Sequence, residues 1–302
     1  MIWSFSGYRS FQQCPRQWFY KNVLANSRAK DPLRREAYRF SKLEGIPAWR
    51  GKIVDATISD VVVPSIRNGR RCSLATAQAA AKRVFEEQRN RRITRQKGEI
   101  ADEVGTFFEL EYGLPLTDEM FAQAWADIDS ALTYLYRCES IWPLLEQAQA
   151  LYAQRPLSFK VSDVTVRSVP DLIVFRSTAP PIILDWKVNA RPLRDYWLQL
   201  VTGAVALTRC TPHRDWPVKA VQHVPEEMQL LEVQLLAGDV RAHSLAATDV
   251  EDLEDLISIS AMEMQLASVN GAAQRRSEDY TVAHDPRTCR MCSFAKLCWE
   301  AG

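Results

Sequence analysis

The chain of 302 residues is 47% hydrophobic and 25% charged, enough for one large domain or two modest ones and too apolar for a disordered polypeptide. The longest apolar runs, 172–175 and 182–184, fall far short of the ~20 residues that cross a bilayer. Met1–Ser6 has no basic or apolar signal region, so the sequence reads as a soluble, cytoplasmic protein without a membrane partner. The net charge of +1 hides a division: residues 1–100 carry 21 Lys and Arg against 8 Asp and Glu, and the other 202 carry 17 against 29. Arginine outnumbers lysine 28 to 10, and its planar fork suits phosphate, so the basic segment is compatible with nucleic acid. The alternative is that the two halves simply attract each other.

Tyr8, Phe11, Trp18 and Phe19 predict an aromatic helix capped by Ser6, with Pro15 at a first turn or a break. Residues 28–50 read as basic and irregular, and 51–63 (GKIVDATISDVVV) as helix. Ser73 is placed to cap a helix over 73–92 whose face is Leu74, Ala77, Ala81, Val84 and Phe85. A second helix over 118–142 carries the stripe Phe121, Ala124, Trp125, Ile128, Leu132 and Leu135, interrupted by Pro143. Residues 101–150 hold ten acids and one base, Arg137. The chain divides into 1–69, a helical insertion over 70–150 suited to docking a protein partner, and 151–302.

The period then changes. Residues 157–167 alternate as a strand pair around Ser162-Asp163, and 169–175 and 182–186 are short β-branched runs. Pro192 stands where a helix begins, with Leu193, Trp197, Leu200, Val201, Ala204 and Leu207 on its buried face. Runs 230–236 and 240–245 flank Ala237-Gly238-Asp239 as a hairpin, and Thr248-x-x-Glu251 is a capping box opening a helix to about Ala267.

Two acids occupy matching places in the central runs. Asp171 opens one and Asp185 closes the next, and in a hairpin these ends lie side by side. Lys187, two residues on, shares the face of Asp185. Two carboxylates hold a hard divalent cation through oxygen, and a lysine beside them stabilises charge on a phosphoryl group. A lone D-x-K is weak evidence, and turn acids with a solvated lysine are its ordinary explanation.

Cys72, Cys138 and Cys210 stand alone, as buried thiols do. Cys289, Cys292 and Cys298 crowd together as C-x2-C-x5-C, which without an export signal argues for metal over disulfides.

Pro170-Asp171, Asp185-Trp186-Lys187 and Gln199 together resemble the PD-(D/E)XK nuclease superfamily. The N-terminal SFSGYRSFQQCPRQWFY and terminal CRMCSFAKLC look like its iron–sulfur branch, which includes RecB-like and AddB-type helicase–nuclease domains and CRISPR-associated RecB-like exonucleases. The motifs cover 1–65 and 155–302. The resemblance implies an α/β fold, a restriction-endonuclease-like mixed sheet flanked by helices, with an iron–sulfur staple. It also implies a Mg²⁺- or Mn²⁺-dependent deoxyribonuclease, an exonuclease on DNA ends or single strands. Its ligand set maps to Asp171, Asp185 and the Trp186 carbonyl for the metal, with Lys187 catalytic and Gln199 orienting it. Cys14, Cys289, Cys292 and Cys298 would ligate a [4Fe–4S] cluster that joins positions 275 residues apart. Zinc, with His284 as a substitute ligand, is the competing occupant, and spacing does not separate the two.

Two positions depart from the family. Gly203 stands where a tyrosine often follows the glutamine. Asp55 stands where a G-x-x-x-H helix has its metal-binding histidine. Three readings of Asp55 are open: an oxygen ligand in an all-carboxylate site, a change that silences the enzyme, or a lineage that only binds nucleic acid as an adaptor. The aromatic N-terminus with Arg9, Arg16, Arg28, Arg34, Arg35 and Arg39 suits a single strand, although Trp3, Phe5 and Phe11 read as core.

Overall fold

Strands buried on both faces lose their alternation, and two such runs form the middle of this molecule. The computed structural model describes residues 1–94, 105–189, 196–217, 223–267 and 276–299. Its larger sheet has five strands in the order β2 (Ala150–Ala153), β5 (Leu172–Phe175), β6 (Ile182–Lys187), β7 (Gln229–Gln234) and β8 (Asp239–His243). β6 and β7 are parallel and every other pair is antiparallel, so the sheet is mixed. In a second sheet, β1 (Ile2–Trp3) lies parallel to β4 (Val164–Ser168), which pairs back onto β3 (Leu157–Val161). The β3–β4 and β7–β8 hairpins turn where the sequence places them, using Ser162 at φ 48° and Gly238 at φ 72°.

Each face of the large sheet carries its own core. One packs Ile173, Phe175, Ile183 and Leu230 against α10 (Trp197–Arg209) and α11 (Ala247–Leu266), joined by Trp3 and by Trp18 and Phe19 of α2 (Pro15–Phe19). The other packs Leu172, Val174, Leu184, Trp186 and Val233 against α4 (Ile46–Thr57), α6 (Leu74–Thr94) and α8 (Asp118–Arg137). Trp49 of α4 is fully buried among Phe85, Phe107 and Phe121. Short helices α5 (Val63–Arg67), α7 (Phe108–Glu111) and α9 (Trp142–Glu146) link these layers. No helix among the described residues is long and apolar enough to cross a membrane.

Several boundaries differ from expectation. Helix α1 (Phe5–Gln13) is capped by Ser4, whose side chain accepts from Gly7 N–H, so Ser6 lies inside it. Pro15 opens α2 directly after Cys14, satisfying both constraints on proline. Residues 28–50 are not irregular: α3 (Pro32–Ser41) forms behind an Asp31 cap and a proline at its start. Ser73 does cap α6 through Thr76 N–H. α8 ends at Arg137, well before Pro143, and that proline starts α9 instead. Thr248 lies inside α11; Asp249 caps it by accepting from Ala246 N–H. Pro192 and Leu193, where the preceding helix is expected to begin, lie outside the described residues; α10 as described begins at Trp197.

The charge division is partly neutralised within the fold. Arg39 pairs with Glu111 at 2.6 Å, Arg89 with Asp118 at 2.6 Å, and Arg50 with Asp127, each joining the basic segment to the acidic one.

Candidate active site

The β5–β6 register pairs Leu172 with Leu184, which sets Asp171 opposite Asp185 at the end of the hairpin. Asp185 and Lys187 share the face of Ile183, as two-residue periodicity requires. Lys187 Nζ lies 2.5 Å from Asp185 Oδ2 and donates to Gln199 Oε1 at 3.4 Å. Gln199, on α10, donates from Nε2 to Asp185 Oδ1 at 2.7 Å and so closes a triangle. Asp171 is held by the Trp186 N–H at 2.9 Å to Oδ2.

Asp55 reaches the same place from α4. Arg50, on the same helix, donates to the Val188 carbonyl at 2.8 Å and ties α4 to the end of β6. Asp55 Oδ1 is buried and has no hydrogen-bond partner among the described residues. Burial pushes its carboxyl up to about 7, the Asp171 charge pushes further, and Lys187 and Lys52 oppose. Burial and Asp171 also raise Asp185 well above the carboxylate range against the pull of Lys187. For Lys187, burial lowers the ammonium's pKa, but Asp185 and Asp171 outweigh it and leave it raised. Three acids and one ammonium thus act on one another, as charges confined to a poorly solvated site do. Among the described residues no three Asp, Glu, His or Cys side chains are already arranged around a common ion position.

Two residues of the site carry no motif. Gln154, just past β2, holds φ 49°, accepts this left-handed backbone without being glycine, and clamps Asp171 twice. Its N–H donates to the Asp171 carbonyl at 3.1 Å and its Nε2 to Asp171 Oδ1 at 2.9 Å. Such conformations cost about 1–3 kcal/mol and concentrate at functional sites. Gln154→Gly relieves that cost and removes the side-chain half of the clamp, leaving the backbone N–H bond in place. The expected result is an unfolding midpoint that holds or rises together with a roughly tenfold slower reaction at this site, about the worth of one lost hydrogen bond to a charged group. Melting curves beside initial rates check it, and a parallel fall in both would make Gln154 merely structural.

Tyr196 is the other. Lys187 Nζ lies 4.1 Å from its ring centroid, and Asn189 Nδ2 donates to its hydroxyl at 3.3 Å. Gly203 is buried, and a Cβ there would sit in van der Waals contact with Ile183 and Pro170 at 3.4 Å. The aromatic neighbour of the lysine comes from before α10.

The four grouped cysteines meet at the C-terminal end of α1. Cys14 ends α1 and caps α2, its Sγ accepting from Gln17 N–H at 3.4 Å. Cys289 lies in α12 (Pro286–Arg290), Cys292 follows it, and Cys298 lies in α13 (Ala295–Trp299). All four line one small apolar cavity with Tyr20, Val282 and Phe294, and none is in a disulfide. Burial pushes the Cys292 thiol up to about 12, helped by the other three thiols. His284 is exposed and does not line this cavity. Cys72, Cys138 and Cys210 lie elsewhere, the last two buried.

Glu111 fastens this corner. It accepts from Arg39 at 2.6 Å and from Lys296, beside Cys298, at 2.8 Å. Burial raises its carboxyl, but the two cations prevail and hold it below the usual range. Glu109, two residues earlier in α7, accepts from Ile46 N–H at the start of α4 at 3.2 Å.

A mixed sheet flanked by helices, with paired acids and a lysine at adjoining strand ends, defines the class. The chain belongs to the PD-(D/E)XK nuclease superfamily, whose sequence profile matches residues 2–299, the stretch 70–150 included. Members of this superfamily are nucleases, hydrolases of nucleic acid. Among solved structures the chain is similar to a protein of Eubacterium rectale provisionally assigned as an exonuclease, at 12% identity and TM-score 0.43, covering 87% of this chain and 79% of that one. It is also similar to the protein named SSO0001, at 12% identity and TM-score 0.30, covering 72% and 95%. Both likenesses are remote. No curated protein matches the sequence.

Proposed function

We propose that this chain is a divalent-metal-dependent deoxyribonuclease that acts on DNA ends or single strands, in the iron–sulfur RecB-like and AddB-type branch of its superfamily. The observation that supports it most is the triangle of Asp185, Lys187 and Gln199 beside Asp171. Burying an ammonium between acids at a sheet end is costly in solvation, and charges so confined are frequent at functional sites.

The donor set fits a hard cation: oxygen only, with the buried Asp55 Oδ1 unpartnered among the described residues. Asp55, Asp171, Asp185 and the Trp186 carbonyl would hold Mg²⁺ or Mn²⁺. When bound, the cation supplies Lewis-acid chemistry, polarising a phosphoryl oxygen and easing loss of a proton from water. The chain's own groups do the rest. Lys187 presents positive charge where phosphoryl oxygens gain negative charge. Gln199 fixes Lys187 and Asp185 relative to each other, and Gln154 with the Trp186 N–H fixes Asp171.

Four thiols line one apolar cavity and are the donor type of a thiolate-ligated group, although among the described residues no three of them are gathered on one ion position. A [4Fe–4S] cluster there would cross-link the α1–α2 junction to the C-terminal helices without taking part in hydrolysis.

The test is degradation of end-labelled single- and double-stranded DNA by protein purified without oxygen, with and without Mn²⁺ or Mg²⁺. Expected are a brown protein with visible iron–sulfur absorbance and metal-dependent cleavage. A brown protein that binds DNA without cutting it favours the adaptor reading that Asp55 raises. Asp55→His then separates loss through that residue from loss throughout.

A further inference from the structure

Glu232 and Gln234 of β7 are fully buried polar side chains that the reading above leaves without a role. β7 runs parallel to β6 in a register that pairs Asp185 with Glu232 and Lys187 with Gln234. Leu230 packs in the core of Ile183, and Leu231 and Val233 pack in the other one. By alternation, Glu232 and Gln234 lie on the face of Asp185 and Lys187. Glu232 is well occupied: Oε2 meets His243 Nε2 at 3.1 Å, Oε1 accepts from Gln234 Nε2, and Arg241 Nη1 stands 3.8 Å from Oε1. A carboxylate only accepts, so it draws the NH₂ end of the carboxamide and turns Gln234 Oε1 away. That oxygen is buried with no hydrogen-bond partner among the described residues. A buried acceptor left so is costly and calls for a donor.

Lys187 has the opposite deficit. An ammonium carries three donors. Lys187 meets Asp185 Oδ2 at 2.5 Å and Gln199 Oε1 at 3.4 Å, and no third acceptor stands within hydrogen-bond distance among the described residues. A spare donor and an orphaned acceptor thus share one register position on neighbouring strands, which are spaced about 4.8 Å apart. The flexible four-carbon stem of a lysine lets its charge move between seats. We infer that Gln234 is a positioning residue: its Oε1 is a second seat for the Lys187 ammonium, taken up whenever the Asp185 carboxylate is neutralised or engaged elsewhere. Glu232 acts one step further back, by fixing which end of the carboxamide is offered. The purpose of the seat rests on the proposed cleavage reaction. With Asp185 engaged, Lys187 keeps its positive charge at the sheet end instead of swinging out to solvent.

The test uses neither divalent cation nor DNA, so the inference and the cleavage reading fail separately. Urea unfolding of the full chain in chelator-treated buffer is followed as a double-mutant cycle of Lys187→Met and Gln234→Met. The cycle is run with Asp185 in place and again in an Asp185→Asn background. With Asp185 in place the two changes are expected to add to within about twofold in the unfolding constant. In the Asp185→Asn background they are expected to couple by about tenfold, the worth of one hydrogen bond to a charged group. The amide donor that Glu232 loses is lost in both arms of each cycle and cancels. A merely structural Gln234 gives equal coupling, or none, in the two backgrounds, and either result overturns the inference. If Gln234→Met does not fold, Glu232→Gln takes its place, because a carboxamide there both donates and accepts and no longer orients Gln234. Its coupling to Lys187→Met in the Asp185→Asn background is expected at about threefold, a part of the same hydrogen bond, and additivity there overturns the inference. Mn²⁺ titration of the wild type, read from the signal of the free ion, tests the metal reading alone. No binding removes that reading, and coupling confined to the Asp185→Asn background still upholds the second seat.

Discussion

Replacing Lys187 with alanine is expected to lower metal-dependent DNA cleavage by about 10²–10³-fold, the usual cost of removing one preorganised charge or donor at a developing oxyanion. The same variant leaves Asp185 buried without its ammonium, and that acid takes up a proton instead. The pair is therefore a poor candidate for a stabilising device. Buried ion pairs replaced as a unit by apolar groups are often neutral or gain about 1–4 kcal/mol. The double variant Lys187→Met with Asp185→Leu is accordingly expected to melt at or above the wild-type temperature while remaining inactive. Scanning calorimetry beside an end-label assay decides it. If the double variant unfolds readily, the triangle with Gln199 is scaffolding.

Asp55→Asn is expected to stabilise the metal-free protein above neutral pH. The folded carboxyl titrates near 7 and the unfolded one near 3.8, chiefly because burial disfavours the charge. The folded state therefore binds the extra proton, and its stability falls as pH rises from about 4, with the loss complete above about 7. The gap corresponds to as much as about 4 kcal/mol, an upper bound that relaxation of the site reduces. Asparagine removes that pH dependence. Divalent cation should act in the opposite sense: at pH 8, Mn²⁺ raises the melting temperature of the wild type more than that of Asp55→Asn, because only the carboxylate gains a cation. Melting temperatures at pH 5 and pH 8, with and without Mn²⁺, give four numbers per protein. Equal pH slopes in the two proteins would remove Asp55 from the charge cluster.

The β5–β6 hairpin and its acids are legible in the sequence because burial on both faces leaves unbroken apolar runs whose ends are marked by Asp171 and Asp185. The cysteine cavity is legible from clustering alone, but Cys14 enters it only through resemblance. α3 hides behind its arginines, although Asp31-Pro32 is a cap followed by a first-turn proline and was a readable start. Gln154 was not legible: its role depends on a left-handed backbone and on a partner 17 residues away, neither of which leaves a periodic trace. Tyr196 is similar, since the family's tyrosine position directs attention to Gly203, a buried residue of α10 packed against Ile183 and Pro170. Asp55 shows the reverse case. A helix position predicted from a family pattern came with the wrong residue type, and only burial beside Asp171 shows that the side chain reaches the cluster.

The tie through α7 has a consequence for how the molecule opens. Lys296 grips Glu111, Glu111 sits on the same helical turn as Glu109, and Glu109 holds the first free N–H of the helix that bears Asp55. Releasing the C-terminal cysteine segment leaves the buried Glu111 with Arg39 but without Lys296, at the helix whose Glu109 holds the start of α4. The thiol corner and the acidic edge, far apart along the chain, are thereby joined through one short helix.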